Sequence, residues 1–293
     1  MIKNLVFKGG GVLGIAYAGA FQVLEEKKIL AQVQRVAGTS AGAITAALIS
    51  LKYTSNEIIH VVGTTDFKSF EDGWNPLRIA TKYGLYKGDA FLTWMRKCIT
   101  NKGLQATATF ADFKKAGMLD LHVFAADLNS RSLKEFSVTK TPNTIVAEAI
   151  RASVSIPLFF EAWSFSNAIP DNHIYVDGGT IYNFPISTFD NADGTVNPET
   201  LGFYLKNVNS TNPPSNLQHD QLLQFIKDLF ETLTDSQAID FETESEDKKR
   251  TVIIDDFGIS ATNFALTDAQ KMQLYNSGKI ATTTYLANHN IGV

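Results

Sequence analysis

Apolar and polar positions fall into blocks along the first half of the chain, and each block has its own period. Asn4-Leu5-Val6-Phe7 is a short apolar run of the kind a strand buried on both faces shows. Residues 15–30, IAYAGAFQVLEEKKIL, repeat their apolar positions at helical spacing. A second β-type run near Val33 to Ala37 passes through a tight turn into the helix-forming AITAALISL. Further on, Ile174-Tyr175-Val176 and TVIID at 251–255 read as strands. Alternation of strands and helices predicts an α/β fold, three layers deep (α/β/α), around a mostly parallel sheet.

The later part of the chain has a different texture. Asn207 to Gln218, NVNSTNPPSNLQ, is rich in Asn, Ser and Pro and reads as a linker. It separates a catalytic region, 1–206, from a C-terminal helix-and-strand region, 207–293, expected to pack on the same domain. That region opens with a predicted helix placing Leu222, Phe225, Ile226, Leu229, Phe230 and Leu233 on one side. Core packing is the expected use of this stripe over membrane contact, since Lys227 is the only basic residue there and interfacial helices favour several. The following ETESEDKKR reads as a solvated charged stretch.

Candidate chemistry gathers at the two strand-to-helix turns. The second, Gly38-Thr39-Ser40-Ala41-Gly42, has the order that lifts a serine hydroxyl out of the backbone as a nucleophile, with Gly38 and Gly42 leaving room for the sharp turn. Taken alone, the string also fits a serine capping a helix. The first turn, Gly9-Gly10-Gly11-Val12-Leu13-Gly14, matches the spacing of a dinucleotide-binding loop through Gly9, Gly11 and Gly14. That use expects an acidic residue closing the second strand, and none stands there. Glycines before a helix also suit an oxyanion, because unpaired N–H groups and the helix dipole favour negative charge. Gly9, Gly10 and Gly11 supply such groups, and Ala41 supplies one more after the nucleophile.

A serine needs a base. The five histidines, His60, His122, His173, His219 and His289, lie in settings more typical of solvated or locally bonded side chains. A desolvated carboxylate serves as well, and Asp177, at the end of a strand and followed by Gly178 and Gly179, is the best candidate, although Asp-Gly is also an ordinary turn.

In combination these motifs resemble the patatin-like phospholipases, lipid acyl hydrolases with a Ser-Asp dyad. GGGVLG at 9–14, GTSAG at 38–42 and DGG at 177–179 occur in the family's order, and LYKGDAF, FAADLNSRSLKEFS, AIRASVSIPLFFEA and DGGTIYNFP are similar to family segments across about the first 190 residues. The resemblance implies Ser40 as nucleophile, Asp177 as general base, an oxyanion hole at Gly9, Gly10 and Gly11, and neither metal nor cofactor. It also sets Gly14, Gly178, Gly179 and Asn183 in the supporting loops, Asn183 either holding the Asp177 loop by hydrogen bonds or serving a plain turn. Arg151, in a block the family places near the cleft, has the chemistry to contact a lipid phosphate, with a structural ion pair or loop anchor as the favoured alternative. The aromatic segment Asp66 to Trp74 either borders an acyl channel or is structural.

Composition narrows the setting. A chain of 293 residues with 44% hydrophobic content can bury one large core, and a net charge of -4 with scattered Lys and Arg gives no nucleic-acid footprint. No apolar run approaches the ~20 residues of a membrane-crossing helix. MIKNLVFKGGG does not read as a signal peptide, and the lone Cys98, read as a packed helix residue, fits a reducing compartment. The expectation is a cytoplasmic enzyme, peripheral at membranes, with export by a signal-less route left open. Its expected partners are a phospholipid or lysophospholipid substrate and transient membrane contact, with a protein activator left open. Acyl transfer to another acceptor and a silent lipid-binding module are the alternatives to hydrolysis.

Overall fold

Glycine at both early turns lets strand and helix follow each other with almost no loop between them. The computed structural model describes residues 1–208, 221–237, 241 and 245–292. Strand β1 (Asn4–Phe7) leads through a short 3-10 turn into α1 (Ile15–Glu26), and β2 (Arg35–Thr39) leads through Ser40 into α2 (Ala41–Ser50). The chain then forms α3 (Ser55–Thr64), α4 (Ile79–Lys82), β3 (Gly84–Tyr86), α5 (Asp89–Thr100) and α6 (Phe110–Lys115). Next come β4 (Asp120–Asp127), β5 (Ser132–Phe136), α7 (Val146–Ser153), β6 (Leu158–Phe160) and β7 (Tyr175–Asp177). The final part contributes β8 (Thr200–Lys206), α8 (Leu222–Ser236), α9 (Ser245–Lys249), β9 (Thr251–Asp255) and α10 (Asp268–Asn288). The predicted helix over 15–30 stops at Glu26, because Lys28 takes a left-handed conformation (φ 59°) and a 3-10 turn follows.

The central sheet runs β5-β4-β2-β1-β8-β9 and is flanked by helices; β1, β2, β4, β8 and β9 are parallel to their neighbours, while β5 and β7 pair antiparallel with β4. Alternate residues of each strand serve opposite faces. Leu5, Phe7, Val36, Leu121, Val123, Phe203 and Leu205 join the large core with α1, α2 and α7. Val6, Ala37, Phe124 and Tyr204 meet Phe184, Ile186, Phe189 and Phe241 in a smaller cluster on the other face. Because β9 pairs with β8, the chain beyond residue 207 supplies an edge strand to the same sheet as residues 1–206. Gly278 of α10 and Gly19 of α1 let the two helices touch backbone to backbone, since an added Cβ at either would lie 1.9 Å from a carbonyl oxygen of the other helix.

Two expectations need correction. The apolar stripe of α8 is split: Ile226 and Phe230, one helical turn apart, are buried with Thr234, while Leu222, Phe225, Leu229 and Leu233 are 38–48% exposed. Arg250, expected in a solvated stretch, is buried and paired with Asp190 and Asp247, because it sits where the chain enters β9. Most of the polar segment at 207–218, and His219, lie outside the described residues. Among the described residues no helix is long and apolar enough to cross a membrane.

Candidate active site

Sheet register brings the two central side chains together. Strand β2 pairs with β4 up to Thr39 opposite Phe124, and β7 pairs with β4 from Asp177 opposite Ala125. Since β5 holds the other edge of β4 there, β7 takes the edge that β2 vacates, and Asp177 comes to lie end-on to the turn after Thr39. Ser40 occupies that turn with φ 52° and ψ -124°, a conformation outside the usual regions for a residue with a side chain. Holding it costs about 1–3 kcal/mol. The turn closes this tightly only with glycine on both sides: a Cβ on Gly38 would lie 2.2 Å from the backbone of Gly42, and one on Gly42 2.2 Å from Phe7 O.

Ser40 Oγ donates to Asp177 Oδ2 at 2.7 Å, and Gly179 N–H donates to Asp177 Oδ1 at 2.7 Å. Both side chains are buried. Burial pushes the Asp177 carboxyl up to about 7, against the opposing pull of the Ser40 and Gly179 hydrogen bonds. A carboxylate with that affinity for a proton, in contact with a hydroxyl, has the chemistry of a general base near neutral pH.

Two serines at the end of α7 and just beyond it complete the cradle, and sequence motifs do not reveal either. Ser153 Oγ accepts the Ser40 N–H at 2.9 Å and donates to Phe124 O at 2.6 Å, while Ser155 O accepts the Asp177 N–H at 2.8 Å. The loop beyond Asp177 is tied on three sides. Thr39 Oγ1 donates to Tyr182 O at 2.9 Å, Gly9 N–H donates to Asn183 O at 2.9 Å, and Gln237 bonds both Gly179 and Asn183.

The glycine turn stands beside Ser40 but not all of it is available. Gly9, expected to donate to an oxyanion, spends its N–H on Asn183, and its close approach to Ser40 (an added Cβ would sit 3.3 Å from Ser40 Cβ) is its contribution. Among the described residues no acceptor engages the N–H groups of Gly10, Gly11 or Ala41. Gly14 packs against Ala41, 3.2 Å from where its own Cβ would be. Asn183 makes its hydrogen bonds through the main chain, to Gly9 and to Gln237.

Arg151 takes the structural place favoured for it over a phosphate contact. It is 1% exposed, donates to Ser155 Oγ and Lys87 O at 2.6 Å and to Glu161 O at 3.1 Å, and stacks against Phe160 and Trp163. Burial pulls its guanidinium down to about 10. It anchors the segment carrying Ser155 and does not line the cavity beside Ser40. None of the four described histidines bonds to Ser40 or Asp177: His122 pairs with Glu135, His173 with Asp127, His289 with Tyr285 O, and His60 is exposed. Asp127, Asp171 and His173 cluster closely enough to hold a metal ion, yet protein donors already engage their carboxylates: Asn129 and Ser130 N–H with His173 at Asp127, Tyr175 and Lys134 at Asp171.

Ser40 opens onto a cavity of about 850 Å³ of atom-free space, part of it continuous with solvent. One face of α2 (Ala41, Ile44, Thr45, Leu48) lines it, and at about 1.5 Å of rise per residue that wall extends roughly 12 Å from Ser40. Phe67, Phe70, Phe91 and Trp94 also line the cavity, with Phe70 edge to face against the other three. Thus the aromatic segment after Asp66 does border the cavity, apart from Trp74, which is 60% exposed. Behind the glycine turn lies a second, polar cavity lined by Lys8, Asp228, Glu231, Asp235 and Asp256. Lys8 donates to Leu205 O at 3.1 Å there, and burial lowers its proton affinity.

Comparison with known proteins gives the family and the fold. The family model described as patatin-like phospholipase matches residues 5–190. The uncharacterized protein YqhO of Bacillus subtilis is 34% identical over 96% of this chain and 97% of its own length. A probable lipid hydrolase, 463L of invertebrate iridescent virus 6, is 26% identical over 63% of this chain and 62% of its own. Among solved structures, VipD from Legionella pneumophila superposes with a TM-score of 0.69 at 15% identity, covering 98% of this chain and 67% of that one. ExoU in its heterodimeric complex with SpcU from Pseudomonas aeruginosa gives 0.57 at 18% identity, and this chain spans about half of it (51%) while 98% of this chain is covered. At these identities the two structures speak for the fold.

Proposed function

This chain belongs to the patatin-like phospholipase family, and we propose that it hydrolyses fatty acyl esters of phospholipids or lysophospholipids through an acyl-enzyme on Ser40. The observation that carries the proposal is the 2.7 Å hydrogen bond to Asp177 from Ser40, which lines an apolar cavity. In this account Asp177 takes the Ser40 proton as Oγ attacks the ester carbonyl carbon. Negative charge then builds on the carbonyl oxygen, and the N–H groups of Gly10, Gly11 and Ala41 receive it. Collapse of the tetrahedral intermediate breaks the ester C–O bond, and Asp177 passes its proton to the departing alcohol. Water, deprotonated by Asp177, attacks the acyl-serine, and fatty acid leaves as Ser40 regains its proton.

The acyl chain lies along α2, where an apolar wall replaces water and supports burial of a chain at about 0.8 kcal/mol per methylene. The exposed ridge of Leu222, Phe225, Leu229 and Leu233 supports transient contact with a lipid surface. Release of free fatty acid from mixed phosphatidylcholine and lysophosphatidylcholine vesicles tests the proposal. Wild type is expected to release it, with rates rising as pH passes about 7, and Ser40→Ala and Asp177→Asn to fall by about 10⁴ or more. Activity surviving in Ser40→Ala would reject the acyl-serine, and ester formation in place of acid when an alcohol is supplied would make the chain a transferase.

A further inference from the structure

Gln237 stands outside the stretch matched by the family model, at the C-terminal end of α8, yet it touches the loop that carries the base. Its Oε1 accepts the Asn183 N–H at 2.7 Å, and its Nε2 donates to Gly179 O at 2.7 Å and to Leu233 O, on the last turn of α8, at 3.1 Å. A primary amide offers an acceptor and two donors in one plane, and here all three functions are used. Neither a carboxylate nor an ammonium side chain can answer an N–H and two carbonyls at once.

The backbone groups it holds bracket the site. Gly179, whose carbonyl it fixes, gives its N–H to Asp177 Oδ1; Asn183, whose N–H it fixes, gives its carbonyl to Gly9. Between them Tyr182 O is bound by Thr39, the residue before Ser40. One side chain on a half-exposed helix thereby joins the base loop, the glycine turn and the nucleophile turn to α8.

We propose that Gln237 is a positioning residue, which holds the Gly179–Asn183 loop so that Asp177 meets Ser40 Oγ at bonding distance. The inference rests on the acyl-transfer account above. It touches neither the acyl cavity nor Ser40, so its loss acts on turnover and leaves substrate binding alone.

The test compares Gln237→Ala and the similarly sized, apolar Gln237→Met with wild type on lysophosphatidylcholine, all confirmed folded by circular dichroism. The expected result is a 10- to 100-fold fall in kcat with KM within twofold, and Gln237→Glu, which keeps the Asn183 contact alone, falling between. Repeating Gln237→Ala in the Asp177→Asn background separates positioning from general support. If Gln237 acts through Asp177, the second substitution there costs less than twofold; an equal loss in both backgrounds, or unchanged kcat in the single variant, overturns the proposal. A wild type that releases no fatty acid would reject the ester-hydrolysis account instead. Labelling of Ser40 by an alkyl fluorophosphonate would still judge Gln237 in that event: about tenfold slower labelling in Gln237→Ala is expected, and an unchanged rate overturns the role.

Discussion

The two glycine turns near the start of the chain look alike in sequence and do opposite things in space. Both join a parallel strand to a helix, at Gly9–Gly14 and at Gly38–Gly42. In the second turn the glycines are passive: they vacate space so that Ser40, a residue with a side chain, can be forced to φ 52° and present its hydroxyl. In the first the glycine itself takes the strained place, with Gly11 at φ +52° and an added Cβ only 2.0 Å from Ala261 O, and what it presents is backbone N–H. In the proposed mechanism crowding therefore serves a nucleophile in one turn and donors for an oxyanion in the other, which a glycine-rich pattern alone does not distinguish.

Substitutions at the two turns break the comparison in different currencies. The largest effect is expected at Ser40→Gly, where activity falls by about 10⁴ or more while the fold gains about 1–2 kcal/mol from released backbone strain. Turnover and denaturant midpoints measure the two together, and a destabilised Ser40→Gly would contradict the claim of strain. Gly11→Ala and Gly42→Ala come next. Gly11→Ala is expected to lower kcat 10²- to 10³-fold through misplaced donors, and Gly42→Ala to lower stability by about 3 kcal/mol because the clash is with the Phe7 carbonyl inside the sheet. Equal stability losses with equal turnover would erase the distinction between the turns.

An effect without any change of turn concerns stability against pH. The folded state keeps a proton on Asp177 up to about pH 7 that the unfolded chain releases near pH 4, so stability from this group falls as pH rises through that window. Asp177→Asn removes the burden, and its gain over wild type is expected to grow from near zero at pH 4 to about 2–4 kcal/mol at pH 8. A gain independent of pH would show that burial does not hold the Asp177 proton.

Much of this arrangement was legible in the chain because the information is local. The strand at Asn4–Phe7, the turn around Ser40 and the strand delivering Asp177 each declare themselves within a few residues. What escaped was set by contacts between distant segments. Nothing near Ser153 or Gln237 announces that one will accept the Ser40 N–H and the other will bridge Gly179 and Asn183. Gly9 loses its N–H to Asn183 only because the base loop folds back over the first turn. Arg151 carries a charge that suits a phosphate, and the favoured reading of it as a structural anchor stands because Lys87 O, Glu161 O and the Trp163 ring engage its guanidinium. The α8 stripe follows one helical period, so the period could not tell which of its two edges the core would cover.

In the proposed mechanism every turnover passes through an acyl group on Ser40. The direct measurement is rapid acid quenching during turnover of a lysophospholipid, followed by mass mapping of the acylated peptide in wild type and Asp177→Asn. The account predicts an acyl adduct on the peptide containing Ser40 in wild type and almost none in Asp177→Asn at the same quench time; an adduct on any other residue, or turnover with Ser40 replaced by alanine, would contradict it.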